Sequence, residues 1–197
     1  GNRYGGTGWF NTGNTVAGST IAEAIAGNDY IQFVVTPNVG FSFTPTSFVF
    51  SWDKSGTGPK SVALRSSADG FAADLGTVLT AAIGTFNTIT ISGLTNLTTA
   101  TTFRVYGYNG TATGGTGGFD IATNVVNVTL NGTTAPIIVP PTQLVIASIS
   151  NQVAGAPFSI TVESRDGSNT LSNVSAATGF TLTTNGNAGA IGGTTTG

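Results

Sequence analysis

From Tyr30 onward, apolar residues recur at every second position. Ile31, Phe33 and Val35 alternate with Gln32, Val34 and Thr36, which is the period of a half-buried strand. Pro37-Asn38-Val39-Gly40 then marks a turn. Phe41 and Phe43 begin the next stretch. Phe48, Phe50 and Trp52 share one face of a strand, with Val49, Ser51 and Asp53 on the other. Ser55-Gly56-Thr57-Gly58-Pro59 is a strong turn signal. In the strand after it, Val62 and Leu64 lie opposite Ala63 and Arg65. Further strands are predicted at Asn87–Ser92, Thr101–Tyr108 and Asn124–Leu130. The Gly/Thr-rich run Gly110–Gly118 reads as an exposed loop. Before Tyr30 the pattern is weaker. Residues 19–26 suit a short helical turn capped by Ser19, and equally a strand or loop.

The spacing of about ten to fifteen residues between strands is that of an antiparallel sandwich. Pro136–Pro141 reads as a stiff extended linker. After it, Leu144–Ile149 and Pro157–Glu163 are predicted strands, the latter with Phe158, Ile160 and Val162 inward. Arg165–Asn169 is a turn, and Phe180–Thr184 another strand. The expected architecture is all-β: a jelly-roll-like sandwich over 1–135, a linker over 136–141, and an immunoglobulin-like sandwich over 142–197. The second sandwich looks truncated, because an immunoglobulin-type domain has roughly 100 residues.

Composition sharpens this picture. Charged residues are 7% of the 197-residue chain, against roughly 25% in an ordinary soluble protein. Thr, Asn, Ser and Gly take their place, favouring strands and turns over helices. Cys and His are absent. No disulfide, thiolate metal site or Ser-His-Asp triad can form, and no enzymatic activity is expected. A net charge of −2 gives no electrostatic reason to bind nucleic acid. No apolar run approaches the ~20 residues of a membrane span. With no signal peptide and Gly1 at its start, the chain reads as a processed product or a piece of a longer protein.

Candidate chemistry is sparse and therefore conspicuous. Two of the four arginines, Arg65 and Arg104, sit beside aromatics. Arg104, Tyr106 and Tyr108 share a strand face, suiting a platform on which a sugar ring stacks. A structural alternative has each arginine held by Asp53 or Asp69, its stem packed on tyrosine rings. Trp9, between Gly8 and Phe10, is the candidate exposed aromatic; Trp52 belongs in the core. Asp53, Asp69 and Asp74 lie near turns and are candidate calcium ligands, although turn capping also explains them and no EF-hand spacing is present.

Tyr30-Ile31-Gln32-Phe33-Val34-Val35-Thr36-Pro37-Asn38-Val39-Gly40 resembles the opening of a β-sandwich module found in large secreted and cell-surface proteins of Bacteroidetes-type bacteria. Leu64–Phe71, Phe103–Asn109 and Asn127–Gly132 resemble its continuation, so the likeness spans roughly residues 20–133. Where members often carry an Asp-Asn pair in the last strand, this chain has Val126-Asn127. Pro141–Ile146 and Ala154–Val162 resemble the immunoglobulin-like repeats of the same proteins. The resemblance implies a secreted or cell-surface, multidomain bacterial protein, exported by a type IX secretion system. Its partners would be surface glycans or neighbouring protein modules, and the secretion machinery during export. Three roles fit: a non-catalytic adhesin or stalk module, a carbohydrate-binding accessory module of a secreted hydrolase, or a filament subunit that assembles by strand exchange.

Overall fold

The computed structural model describes residues 3–9, 18–120, 128–153, 155–174, 179 and 181. The chain divides into two compact units, Gly1–Pro136 and Ile137–Gly197.

The first unit is a jelly roll. Its strands are β1 (Arg3–Thr7), β2 (Tyr30–Val35), β3 (Phe41–Lys54), β4 (Ser61–Ser66), β5 (Gly76–Val78), β6 (Phe86–Thr90), β7 (Thr101–Tyr108), β8 (Thr116–Asp120) and β9 (Val128–Pro136). One sheet runs β1-β8-β3-β6, with β9 also paired to β3; the other runs β2-β7-β4-β5. All pairings are antiparallel, and β1 joins β8, β2 joins β7, β3 joins β6 and β4 joins β5. Those nested pairs describe one long hairpin rolled up so that its halves fall alternately into two sheets, which is the double Greek key of a jelly roll.

The alternating pattern is what drives the roll. Phe48, Phe50 and Trp52 from β3, Val62 and Leu64 from β4, Phe103 and Val105 from β7, and Phe119 from β8 all bury their side chains in one cluster. The rings interlock: Phe33 stacks on Phe48 and Phe103, and Trp52 meets Phe50, Phe119 and Trp9 edge-on. Each such ring removes roughly 150–250 Å² from water, so apolar burial is the main force that holds this core together.

Several local readings change. The two apolar stretches around Phe41–Trp52 form one strand of 14 residues. Its register slips between Pro45 and Ser47, where proline's missing N–H is tolerated at a bulge. Residues 19–26 resolve into a helix, α1 (Ile21–Gly27). Its cap is Thr20 rather than Ser19, in a capping box with Glu23, and Asn28 closes it in the left-handed conformation. Ser19 instead bonds the Gly110 backbone.

The expected exposed loop at Gly110–Gly118 is also corrected. Gly115, Gly117 and Gly118 are buried, and the last two belong to β8. A Cβ on Gly117 would come within 2.6 Å of the Pro59 ring. Here glycine allows close backbone approach, not flexibility. The strand predicted over Asn124–Leu130 begins, within the described residues, at Val128 and continues to Pro136. Residues 124–127, including Val126-Asn127, lie outside the described residues.

In the second unit, β10 (Gln143–Ile146) pairs antiparallel with β11 (Val162–Arg165). Asp166 Oδ1 accepts the backbone N–H groups of Ser168 and Thr170 and holds the turn that follows. Arg165 pairs with Glu163 on the same strand. The predicted strand Pro157–Glu163 is shortened at its start. Phe158 is 52% exposed and Ile160 36%, so these side chains do not point inward as the alternation suggested. The predicted strand over Phe180–Thr184 lies outside the described residues apart from Thr181.

Candidate functional site: the outer face of the four-stranded sheet

The face of β2-β7-β4-β5 turned away from the core carries most of the candidate residues. Register places Tyr30 beside Tyr106 and Gln32 beside Arg104. It also places Arg104 beside Arg65, Tyr106 beside Ala63, and Tyr108 beside Ser61. Two arginines directly opposite each other repel, and the fold separates their charges.

Arg65 turns toward the loop between β4 and β5. Its Nε donates to Asp74 Oδ1 at 2.6 Å, and one terminal nitrogen donates to the carbonyls of Phe71 and Ala72 at 2.9 and 3.2 Å. Arg104 turns toward aromatics. Its guanidinium carbon lies 4.3 Å from the centre of the Tyr30 ring and 3.9 Å from that of Phe71, and Nε donates to Gln32 Oε1. Among the described residues it has no acidic partner, so the ring quadrupoles are its main electrostatic support.

Phe71 reaches Arg104 because the chain turns sharply before it. Gly70 and Phe71 both adopt left-handed backbone, with φ of 71° and 63°. That conformation is unfavourable for a bulky side chain. It is held by the Phe71 N–H bond to the Ser66 carbonyl, by the Arg65 bond to the Phe71 carbonyl, and by Asp69, whose carboxylate accepts the N–H groups of Ala72 and Ala73.

The candidate residues thus receive specific places. Arg104 is half-exposed at the centre of the stack. Tyr108 is half-buried at its end; burial raises its hydroxyl pKa, helped by the Asp74 charge and opposed by a hydrogen bond with Ser61. Tyr106 is only 2% exposed, packed edge-on against Tyr30. It supports the stack from beneath and offers no open ring to a ligand. α1 packs against β7 and buries its own Ala24 there.

Trp9 is likewise corrected, being 6% exposed. Its indole N–H donates to the carbonyls of Gly6 and Gly117 at 2.8 and 3.0 Å, and its ring meets Trp52 edge-on. It closes one end of the core. The calcium trio is not brought together. Asp69 caps its loop, Asp74 pairs with Arg65, and Asp53 is half-buried in β3 opposite Gly118. No group of three metal-ligating side chains forms among the described residues.

Tyr30, Gln32 and Phe71 are the members of this face that sequence reading missed. Tyr30 and Gln32 share the period-two pattern with Arg104 and are adjacent to it only through strand register. Phe71 carried no signal, because its position depends on a left-handed turn. No helix among the described residues is long and apolar enough to cross a membrane. No family model, curated protein or solved structure matches the chain.

Proposed function

We propose that this chain is a non-catalytic module of an exported bacterial surface protein, acting in adhesion or as a structural stalk. The observation that carries this reading is the outer sheet face. Its charged groups are tied to rings, carbonyls and each other, which makes a stiff, nearly neutral surface over a closed aromatic core. Such a surface sticks through aromatic and hydroxyl contacts, and many copies acting together supply avidity. Single-molecule pulling tests both halves of the proposal. Rupture from polysaccharide- or protein-coated tips should exceed that from blank tips, or the 1–136 unit should resist unfolding beyond the rupture force. Blank-level adhesion together with unfolding at negligible force refutes it.

A second reading, a carbohydrate-binding accessory module, is favoured by the half-exposed Tyr30–Arg104–Phe71 stack with Gln32 beside it. Sugars bind such surfaces by stacking on rings and by donating and accepting hydrogen bonds at the edges. A glycan array addresses this reading directly; no binding at millimolar ligand would sink it.

A further inference from the structure

β7 lies between β2 and β4 in its sheet. Tyr30 on β2 and Phe71 in the loop after β4 therefore reach Arg104 from opposite flanks. The guanidinium carbon sits over both rings, at 4.3 and 3.9 Å, and Nε donates to Gln32 Oε1 at 3.4 Å. These contacts fix the plane of the group yet use only one of its five N–H donors. Nη1 and Nη2 have no hydrogen-bond partner among the described residues. Nor are they sealed from solvent: among the described residues, the side-chain atoms both buried and unpartnered belong to Asp29 and Ser66. Arg104 thus presents a pre-oriented, solvent-facing fork of N–H donors.

The groups around the fork select its ligand. The Gln32 oxygen is turned to Arg104, which leaves its NH₂ group as a further donor at the same edge. An edge made of donors, one of them cationic, favours an oxyanion. Neighbouring charges set the valence of that anion. Arg65 is offset by Asp74, and Asp69 lies in the same loop as Phe71. A dianion such as phosphate would have one uncommitted arginine to hold it and two carboxylates to repel it. A carboxylate carries a single charge, and its planar pair of oxygens matches the planar fork. Val34, two positions from Gln32 on the same strand face, is 58% exposed. It offers apolar surface to C–H groups attached to the carboxylate, which a small free ion cannot use.

We propose that the Arg104 fork binds the carboxylate of an acidic saccharide, a uronic acid unit, with Gln32 donating to an adjacent sugar oxygen and Val34 packing on the sugar's C–H groups. This inference rests on the carbohydrate-binding reading and names the class of sugar that the outer face takes. It gives Tyr30 and Phe71 the further task of orienting the arginine.

The experiment is an amide NMR titration of the full chain with a panel of uronic acid oligosaccharides and their uncharged methyl esters. Acetate and a capped glutamate peptide serve as carboxylates without a sugar. Wild type, Arg104→Lys and Gln32→Ala are compared, and thermal melts establish that each variant is folded. The expected result is saturable shifts at the amides of Gln32, Phe71 and Arg104 with at least one uronic acid oligosaccharide, weakening as salt is raised. The matching methyl ester should bind at least about tenfold more weakly. Arg104→Lys keeps the charge and loses the fork, and should weaken binding by a similar factor; Gln32→Ala should weaken it less. Equal binding of acid and methyl ester overturns the carboxylate and leaves the carbohydrate reading standing. Acetate or the peptide binding as tightly as the oligosaccharide overturns the sugar as the source of the carboxylate. Unweakened binding by folded Arg104→Lys, or shifts confined to other residues of wild type, overturns the site. No shifts with any uronic acid overturn this inference, and the carbohydrate reading falls with it only if the glycan array is also blank.

Discussion

Gly107→Ala tests whether Trp9 is a structural plug or a surface aromatic. Gly107 lies on the core side of β7, and a Cβ there would fall 2.6 and 2.8 Å from two carbons of the Trp9 ring. Carbon atoms pack comfortably at about 3.5–4.0 Å, so the ring must retreat by roughly 1 Å. It has little room to do so. The indole N–H is held by the Gly6 and Gly117 carbonyls at 2.8 and 3.0 Å, and Trp52 lies 5.8 Å away, centre to centre. A retreat of that size stretches both hydrogen bonds past useful length, at about 0.5–1.5 kcal/mol each. Overpacking of a tight core costs about 1–3 kcal/mol in general. The expected destabilisation is therefore about 2 kcal/mol, or a fall of roughly 8 °C in Tm for a unit of this size. The assay is urea unfolding followed by tryptophan emission, which should also shift to the red in the folded variant as Trp9 meets water. The decisive control is the Trp9→Ala background. With the ring gone, the penalty of Gly107→Ala should fall below about 0.5 kcal/mol, giving a coupling of roughly 2 kcal/mol. Additive effects of the two substitutions, or an unchanged melt for Gly107→Ala alone, would show that Trp9 does not occupy the place described.

Other expectations follow from single interactions. Thr20→Ala removes one half of the capping box around α1 and should cost about 1 kcal/mol, seen first as faster amide exchange at Glu23. Asp74→Asn leaves Arg65 without its carboxylate; as a partly exposed pair it should lose about 1 kcal/mol or less, with the difference shrinking in high salt. Asp29 has a folded pKa raised above its ordinary 3.8 by burial. Between those two values the folded state holds more protons than the unfolded, so this group's contribution to stability declines as pH rises through that window. Asn at position 29 should flatten that part of the pH–Tm curve and raise Tm at neutral pH; an unchanged curve would show that the carboxylate is not desolvated.

Much of the jelly roll was legible from the chain alone. A side-chain period of two assigns faces without knowledge of the partner strand, so Phe48, Phe50, Trp52, Val62 and Leu64 could be placed in a core from their spacing, and all are fully buried. The all-β class followed from the same alternation and from a composition that disfavours long helices. The features that escaped depend on what lies across space. Glycine carries the same letter in a flexible loop and in a strand pressed against its neighbours, and only the Pro59 ring beside Gly117 and the Tyr4 carbonyl beside Gly118 reveal which it is. Trp9 looked exposed among glycines, yet the Gly6 and distant Gly117 carbonyls hold its indole N–H, and Gly107 leaves the volume its ring fills. Arg65 and Arg104 were visible as candidates, but their partners were set by register and by a left-handed turn at Phe71. The sequence determines which residues seek burial through local periodicity. Which residues end up sharing a site is decided by long-range strand pairing, whose register no local pattern records.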